Sequence, residues 1–242
     1  MQFNDTKTVR EIAIEQPGST RVFEKLGIDY CCGGDRPLAQ ACHAAGVPVA
    51  EVVRSLEQIE ASSQQPAESY DWQSEPLALL ITHIVNTHHV FTREELDGIE
   101  PLLAKVCSVY GASRPELLKI HSLFGELKRE LLLHMMKEEN ILFPYITQME
   151  KAISAGLPAP RPMFGTVRNP IGMMMNEHDG AGDVLRRVRQ LSDNFNPPSD
   201  ACVSYQTLYR RLQELEKDLH QHIHLENNLL FPRSIEMEKP GS

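Results

Sequence analysis

His134-Met-Met-Lys-Glu138-Glu-Asn-Ile-Leu-Phe-Pro144 and His222-Ile-His-Leu-Glu226-Asn-Asn-Leu-Leu-Phe-Pro232 are one short word written twice, 88 residues apart. Each copy has a further histidine upstream: His89 lies 45 residues before His134, and His178 lies 44 before His222. Residues four apart on a helix stand on one face about a turn apart, so the imidazole and carboxylate of His-xxx-Glu can reach the same metal ion. An ionised glutamate in an apolar stripe is costly unless paired or bound to a cation, and here two such stripes carry one apiece. Four histidines and two glutamates suit iron in a binuclear site. Each ion is expected to take two imidazoles, with Glu138 and Glu226 bridging the pair. A single inward histidine is more often a hydrogen-bonded core residue than a ligand; it is the repetition with matched partners that points to metal. His88 competes with His89 for the first position, but the matched spacing and the line through Leu77, Ile81 and Val85 favour His89. His83, His88, His121, His220 and His224 fall outside the duplicated scheme and read as surface or outer groups. Glu130 and Glu177 are candidates for carboxylates behind the ligands, with a solvated face as the bland alternative for each.

These side chains need long helices to carry them. Helical spans are predicted at about 75–108, 114–153, 169–194 and 200–237, and no alternating strand pattern competes. The second shows an inward stripe at Leu117, Ile120, Phe124, Leu127, Leu131, His134, Glu138, Ile141 and Tyr145; the fourth repeats it at Leu208, Leu212, Leu215, Leu219, His222, Glu226 and Leu229. Ser74, Ser113 and Asn169 mark starts, Pro101 after Gly98 is expected to bend or split the first helix, and Leu157-Pro-Ala-Pro-Arg-Pro162 joins the two halves. The simplest packing is an up-down four-helix bundle over 74–242. Ahead of it, Thr8-Val-Arg-Glu11 has capping-box spacing, Pro17-Gly18 is a break, and Gly27 and Gly46 sit where helices stop. This reads as a small helical N-terminal domain over 1–60. The polar stretch Ala61–Ser69 lies within a linker at 61–73. The fold class is therefore all-α.

The chain has 242 residues, 24 basic against 33 acidic, a net charge of -9 and 41% hydrophobic residues, which predicts a packed core. The longest apolar run, Leu77–Ile81, is far short of the ~18–20 residues of a membrane helix, and Met1-Gln-Phe-Asn-Asp5 is no cationic leader. A soluble cytoplasmic protein is expected, without membrane. The acidic balance, with no basic run longer than Arg186-Arg187 or Arg210-Arg211, speaks against nucleic acid. Five cysteines without CxxC spacing suggest neither a disulfide framework nor a four-cysteine zinc site. The pair in Asp29-Tyr30-Cys31-Cys32-Gly33-Gly34 cannot form a relaxed disulfide with itself. It is read either as reactive thiols or as a buried turn permitted by small residues.

Together, Asp29–Gly34, Asp71-Trp72, His134–Glu138, Asn176–Asp179 and His222–Pro232 resemble the Repair of Iron Centres family of di-iron proteins over nearly the whole chain. The resemblance implies a hemerythrin-like four-helix bundle and, by position, metal ligands at His89, His134, Glu138, His178, His222 and Glu226. It implies two iron ions per chain with an oxo or hydroxo bridge, and repair of iron-sulfur clusters damaged by nitric oxide or oxidative stress, by supplying iron or by removing nitric oxide. Partners are then damaged iron-sulfur proteins and nitric oxide, with a homodimer left open. Cys31 and Cys32 would help in transfer or redox steps. Alternatives are an enzyme reducing nitric oxide and a hemerythrin-like sensor or carrier of oxygen or nitric oxide. One departure from the oxygen carriers of the hemerythrin group is Gly182, four residues after His178, where they place a fifth histidine. That favours reactivity or lability over reversible oxygen carriage.

Overall fold

The computed structural model describes residues 7–62 and 71–239, and among them every extended element is helical, with one isolated bridge between Thr8 and Pro37. Most of the polar stretch read as a linker, residues 63–70, lies outside the described residues. The chain divides into two compact units, Met1–Pro76 with His220–Arg233, and Leu77–Leu219 with Ser234–Ser242.

The first unit opens with α1 (Val9–Glu15), α2 (Ser19–Leu26), α3 (Leu38–Ala45) and α4 (Val49–Ser62). Thr8 and Glu11 form the expected capping box, each side chain accepting from the other's backbone N–H at 3.2 and 2.8 Å. Gly27 and Gly46 end α2 and α3 at φ of +67° and +69°, a conformation that glycine adopts without a Cβ penalty. Val9, Ile12, Phe23, Tyr30, Leu38, Val52 and Leu56 form the core of these helices.

The second unit holds three long rods and most of a fourth. The first rod is α5 (Leu77–His83), a π-helical segment Ile84–His89, and α6 (Val90–Tyr110); the second is α7 (Pro115–Lys137), a π segment Glu138–Leu142, and α8 (Phe143–Ser154). The third is α9 (Arg168–Leu191). The fourth is α10 (Val203–Leu225), a π segment Glu226–Leu230, and α11 (Phe231–Met237). Leu96, Leu103, Ile120, Phe124, Leu127, Leu185, Tyr205, Leu208 and Leu215 belong to one apolar cluster, so the rods share a core as a bundle must. The fold is all-α, with the four long helices in the up-down order the periodicity predicts.

Four local expectations are corrected. Pro101 lies inside an unbroken α6, and Gly98 makes room for Arg211, whose guanidinium sits where a Cβ would be and reaches Glu95 at 2.7 Å. Ser74 does not cap the first rod; its hydroxyl turns to Asp71, and the carboxylate of Glu150 on α8 accepts from the Leu77 and Ala78 N–H groups at 2.6 and 2.9 Å. Neither Ser113 nor Asn169 is the residue before its helix: α7 follows Arg114 and starts on Pro115, and α9 follows Val167. Finally, Ile141 faces outward at 52% exposure, and Leu142 is buried instead. A π turn holds one residue more than an α turn, so the inward stripe advances by one position across Glu138–Leu142.

Proline explains two of the three π segments. Pro144 and Pro232 have no N–H to return to the carbonyl four residues back, and the ring would collide with that carbonyl in an ordinary turn. Widening the turn relieves both problems. In each case the phenylalanine before the proline donates its N–H five residues back, Phe143 to Glu138 and Phe231 to Glu226. The Leu-Phe-Pro of the repeated word therefore sets the backbone at the glutamate itself. Ile84–His89 is π-helical with no proline behind it.

Candidate metal centre

In the second unit, His89 ends one π segment, Glu138 begins another, His134 stands a turn before Glu138, and His178 lies on the buried stripe Ile171, Met174, His178, Ala181, Leu185 of α9. All four are buried, His89 and Glu138 completely. The two oxygens of Glu138 face different imidazoles: Oε2 is 3.4 Å from His89 Nε2, and Oε1 is 3.3 Å from His134 Nε2. His134 Nε2 and His178 Nε2 are 3.1 Å apart. Two donors each about 2.1 Å from one ion and about 90–105° apart at it are roughly 3.0–3.3 Å from one another. The observed spacings lie within about 0.1 Å of that range, whereas a charge-assisted hydrogen bond between imidazole and carboxylate would close to about 2.7–2.9 Å. The donor set fits a borderline metal cation, and a bound cation would offset the several kcal/mol that burying an ionised carboxylate costs.

The far side of each ring makes the short contacts. His89 Nδ1 is 2.6 Å from Glu139 Oε1, which also accepts from Arg93 at 2.8 Å. His134 Nδ1 is 2.8 Å from Glu177 Oε2, and Lys137 bonds the other oxygen of Glu177. Partial burial pushes both carboxyls up, but the bonds from Arg93 and His89 in one case, and Lys137 and His134 in the other, hold them below the usual carboxylate range. An anionic partner at Nδ1 keeps the proton there and leaves the Nε2 lone pair pointing inward, which is what a metal-ligating histidine requires.

The first unit holds the second His-xxx-Glu pair, on the fourth rod. His222 and Glu226 are buried a turn apart, with His222 Nε2 3.1 Å from Glu226 Oε1. The next two residues are tied to the cysteine loop: Asn227 Nδ2 donates to the Cys31 carbonyl at 3.3 Å, and Asn228 Nδ2 donates to the Tyr30 carbonyl at 2.9 Å. Arg10 Nε donates to Asn228 Oδ1 at 2.7 Å. Burial, and secondly Arg10, push His224 down to about 4, so its ring is neutral and Nδ1 accepts from Asn228. The Tyr30 hydroxyl, pushed up by burial and by Glu24, donates to Glu24 and accepts from Gln221 at 2.6 Å.

Of the residues singled out from sequence, His89, His134, Glu138 and His178 lie together in one unit, and His222 with Glu226 form a pair in the other. Cys31 is buried and Cys32 half-buried, both as free thiols with sulfurs 3.9 Å apart. Glu177 stands behind His134, but Glu130 does not share that role: it is exposed on α7, 3.9 Å from Arg129, because the inward line of that helix runs through Leu127, Leu131 and His134. Glu139, Arg93 and Lys137 were missed. The one available signal was that the word's two copies differ after the ligand, Glu139 against Asn227. His88 is buried against Asp218 at 2.9 Å and has its own partner away from Glu138. Met174 is buried in the core between the exposed Met173 and Met175, and Cys202 is exposed. Gly182 is buried one turn beyond His178, so that inward position offers no donor.

Residues 80–234 match the hemerythrin HHE cation binding domain, and residues 5–60 match ScdA_N, a domain of unknown function (DUF542). The chain is 36% identical over 236 residues to the iron-sulfur cluster repair protein YtfE of Citrobacter koseri, covering 97% of this chain and 99% of that protein. It is 37% identical over 226 residues to the proteins of the same name from Escherichia coli O81 and Escherichia fergusonii, covering 93% of this chain and 94% of each. No helix among the described residues is long and apolar enough to cross a membrane. With a cation-binding domain over most of its length and relatives of one name matched from end to end, the chain belongs to the hemerythrin-domain family of iron-sulfur cluster repair proteins.

Proposed function

We propose that this protein repairs iron-sulfur clusters damaged by nitric oxide or oxidative stress, by supplying iron from a binuclear non-haem site in its helical bundle. His89, His134, Glu138, His178, His222 and Glu226 are the six ligands of that site, with Glu138 and Glu226 bridging and a solvent-derived oxo or hydroxo group as the third bridge. The observation that carries the reading is the carboxylate of Glu138, fully buried with each oxygen turned to a different imidazole at ligand-edge distance. The equivalence of Glu226 rests on the repeated word, on its burial, and on the same five-residue backbone bond from the following phenylalanine.

Bound at these residues, iron supplies open coordination positions and one-electron chemistry. The protein's own share is positional: Glu139 and Glu177 fix the ring tautomers, and the apolar stripes exclude water. The glycine at 182 withholds a donor, so the ions stay undersaturated and exchangeable. Iron is then cargo, passed to a client protein that has lost part of its cluster. Free thiols at Cys31 and Cys32 accord with a reducing compartment, the cytoplasm.

The test is anaerobic transfer of iron from the loaded protein to an apo-cluster enzyme, comparing wild type, Glu138→Leu and Cys31→Ala/Cys32→Ala. Wild type should restore activity and Glu138→Leu should not. Equal recovery in all three would remove the repair reading. Catalytic consumption of nitric oxide with an electron donor, without iron transfer, would instead make the protein a nitric oxide-reducing enzyme.

A further inference from the structure

The cysteine loop carries a second group of metal-ligating side chains, apart from the six residues above. Asp29, Cys31 and Cys32 offer one ligand atom each, and these lie within 4.8 Å of one another. The sulfurs are 3.9 Å apart, and Cys31 Sγ is 3.5 Å from Asp29 Oδ1. A tetrahedral ion with bonds of about 2.3 Å to sulfur and about 2.1 Å to oxygen places two sulfurs roughly 3.8 Å apart, and a sulfur and an oxygen roughly 3.6 Å apart. Two of the three edges of such a tetrahedron are thus held to within a few tenths of an ångström, and the third, from Cys32 to Asp29, lies within 4.8 Å.

Its backbone is built to keep them there. Asp29 Oδ1 accepts from the Cys32 and Gly33 N–H groups, both at 3.0 Å, which curls the chain so that both sulfurs come round to the carboxylate. Gly33 packs directly on that carboxylate, and a Cβ there would lie 3.2 Å from Asp29 Cγ and Oδ2. At Gly34 a Cβ would meet Asn228 Oδ1 and the Tyr30 carbonyl, each at 3.0 Å. The carbonyls of Tyr30 and Cys31 are themselves held by Asn228 and Asn227, so the loop is bolted to the turn that follows Glu226. Asp29 and Cys32 are partly exposed, which leaves an approach for an ion and for a fourth ligand from outside.

We propose that Asp29, Cys31 and Cys32 form a second metal site, which takes a single thiophilic divalent cation through two thiolates and one carboxylate. Binding replaces two S–H bonds with two sulfur–metal bonds and puts two protons into the buffer; no electron moves. Three protein donors leave a tetrahedral ion with an open position, so the site is an exchange site rather than a permanent structural one. It goes beyond the repair reading, since it holds whether or not the bundle gives up its iron. In a protein that does give up iron, it would be a loading or hand-over position.

Cobalt(II) is the probe, because thiolate-to-cobalt charge transfer and the ligand-field bands of tetrahedral cobalt report sulfur ligation directly. The iron-loaded full-length protein is titrated anaerobically, with bundle iron assayed before and after. The expected result is one cobalt per chain with tetrahedral thiolate bands and no loss of iron. Cys31→Ser and Cys32→Ser should each abolish those bands while Cys42, Cys107 and Cys202 remain in place. Asp29→Asn, which keeps an oxygen for the two backbone N–H groups, should keep the charge transfer and bind about tenfold more weakly. Glu138→Leu should lose bundle iron and retain the cobalt bands. The proposal is overturned if wild type retains its iron and shows no thiolate bands, an outcome that leaves the repair reading standing. It is equally overturned if the bands survive both serine substitutions in protein of unchanged helicity, or disappear with Glu138→Leu.

Discussion

Glu138→Leu should change the protein's stability in opposite directions with and without metal. In metal-free protein a carboxylate with no exposed surface lies 3.4 Å from one imidazole nitrogen and 3.3 Å from another, longer than the about 2.7–2.9 Å of a charge-assisted hydrogen bond. Burying an ionised carboxylate costs several kcal/mol, and a leucine of similar volume in its place carries no such cost. Taking about 2 kcal/mol, and about 2–4 °C per kcal/mol for a domain of this size, the chelator-treated variant should melt roughly 4–8 °C above chelator-treated wild type. In loaded protein the sign reverses. A ligand that binds only the folded state at about 1,000 times its Kd stabilises it by about 4 kcal/mol, and the variant forfeits this for any ion it can no longer hold. Loaded wild type should therefore melt above loaded Glu138→Leu. Differential scanning calorimetry on four samples, wild type and variant with and without iron, measures both gaps. If metal-free variant melts below metal-free wild type by several degrees, Glu138 is a structural residue satisfied by its protein neighbours, and the ligand assignment built on it fails.

Glu139→Gln removes the anion from behind His89 and should cost about 10–100-fold in iron affinity, while Glu130→Gln on the exposed face of α7 should change nothing; competition with a chromophoric chelator measures both. Pro144→Ala restores an N–H for the Asn140 carbonyl and allows an ordinary helical turn, so amide exchange should show the π segment closing and iron affinity should fall at least about tenfold. Gly34→Ala forces a Cβ against Asn228 and the Tyr30 carbonyl and should cost about 1–3 kcal/mol by urea unfolding. Gly125→Ala, in open space on the outer face of α7, should instead add about 0.5–1 kcal/mol.

The candidate ligands stood out in the sequence because coordination would impose a spacing. His-xxx-Glu is a statement about one helical face, and core packing alone gives no reason to write it twice with a histidine 44 or 45 residues ahead of each copy. The all-α class was legible for the same reason, since a stripe such as Leu208, Leu212, Leu215, Leu219 has a single period. The groups behind the ligands carry no such spacing. Glu177 reaches His134 from another helix, and Glu139 reaches His89 across 50 positions of chain, so only the packing of the rods pairs them. Glu130 shows the converse error. It stands four residues before His134, as a ligand partner would, yet the buried line of α7 passes through Leu131 and leaves it in solvent.

The proline in the repeated word carries the most transferable consequence. Read as sequence, Leu-Phe-Pro closes a bundle end, and a strict three-four alternation then places Ile141 inside. The structure puts Ile141 outside, because Pro144 cannot complete an ordinary turn and the chain takes up one extra residue between Glu138 and Phe143. The same accommodation recurs at Glu226 before Phe231-Pro232, so the widened turn is part of what was duplicated. A π turn adds a residue without breaking the rod, so the residues before and after it need not share one helical phase. It lets His134 and Glu138 keep the four-residue spacing of one helical face while Leu142, Phe143, Tyr145 and Ile146 return to the core in a shifted register. A helix of fixed period would have to choose between aiming the carboxylate and packing the turn beyond it. With Pro144 four residues after Asn140, the chain does both, and the position of that proline relative to His-xxx-Glu is itself a readable mark of the widened turn.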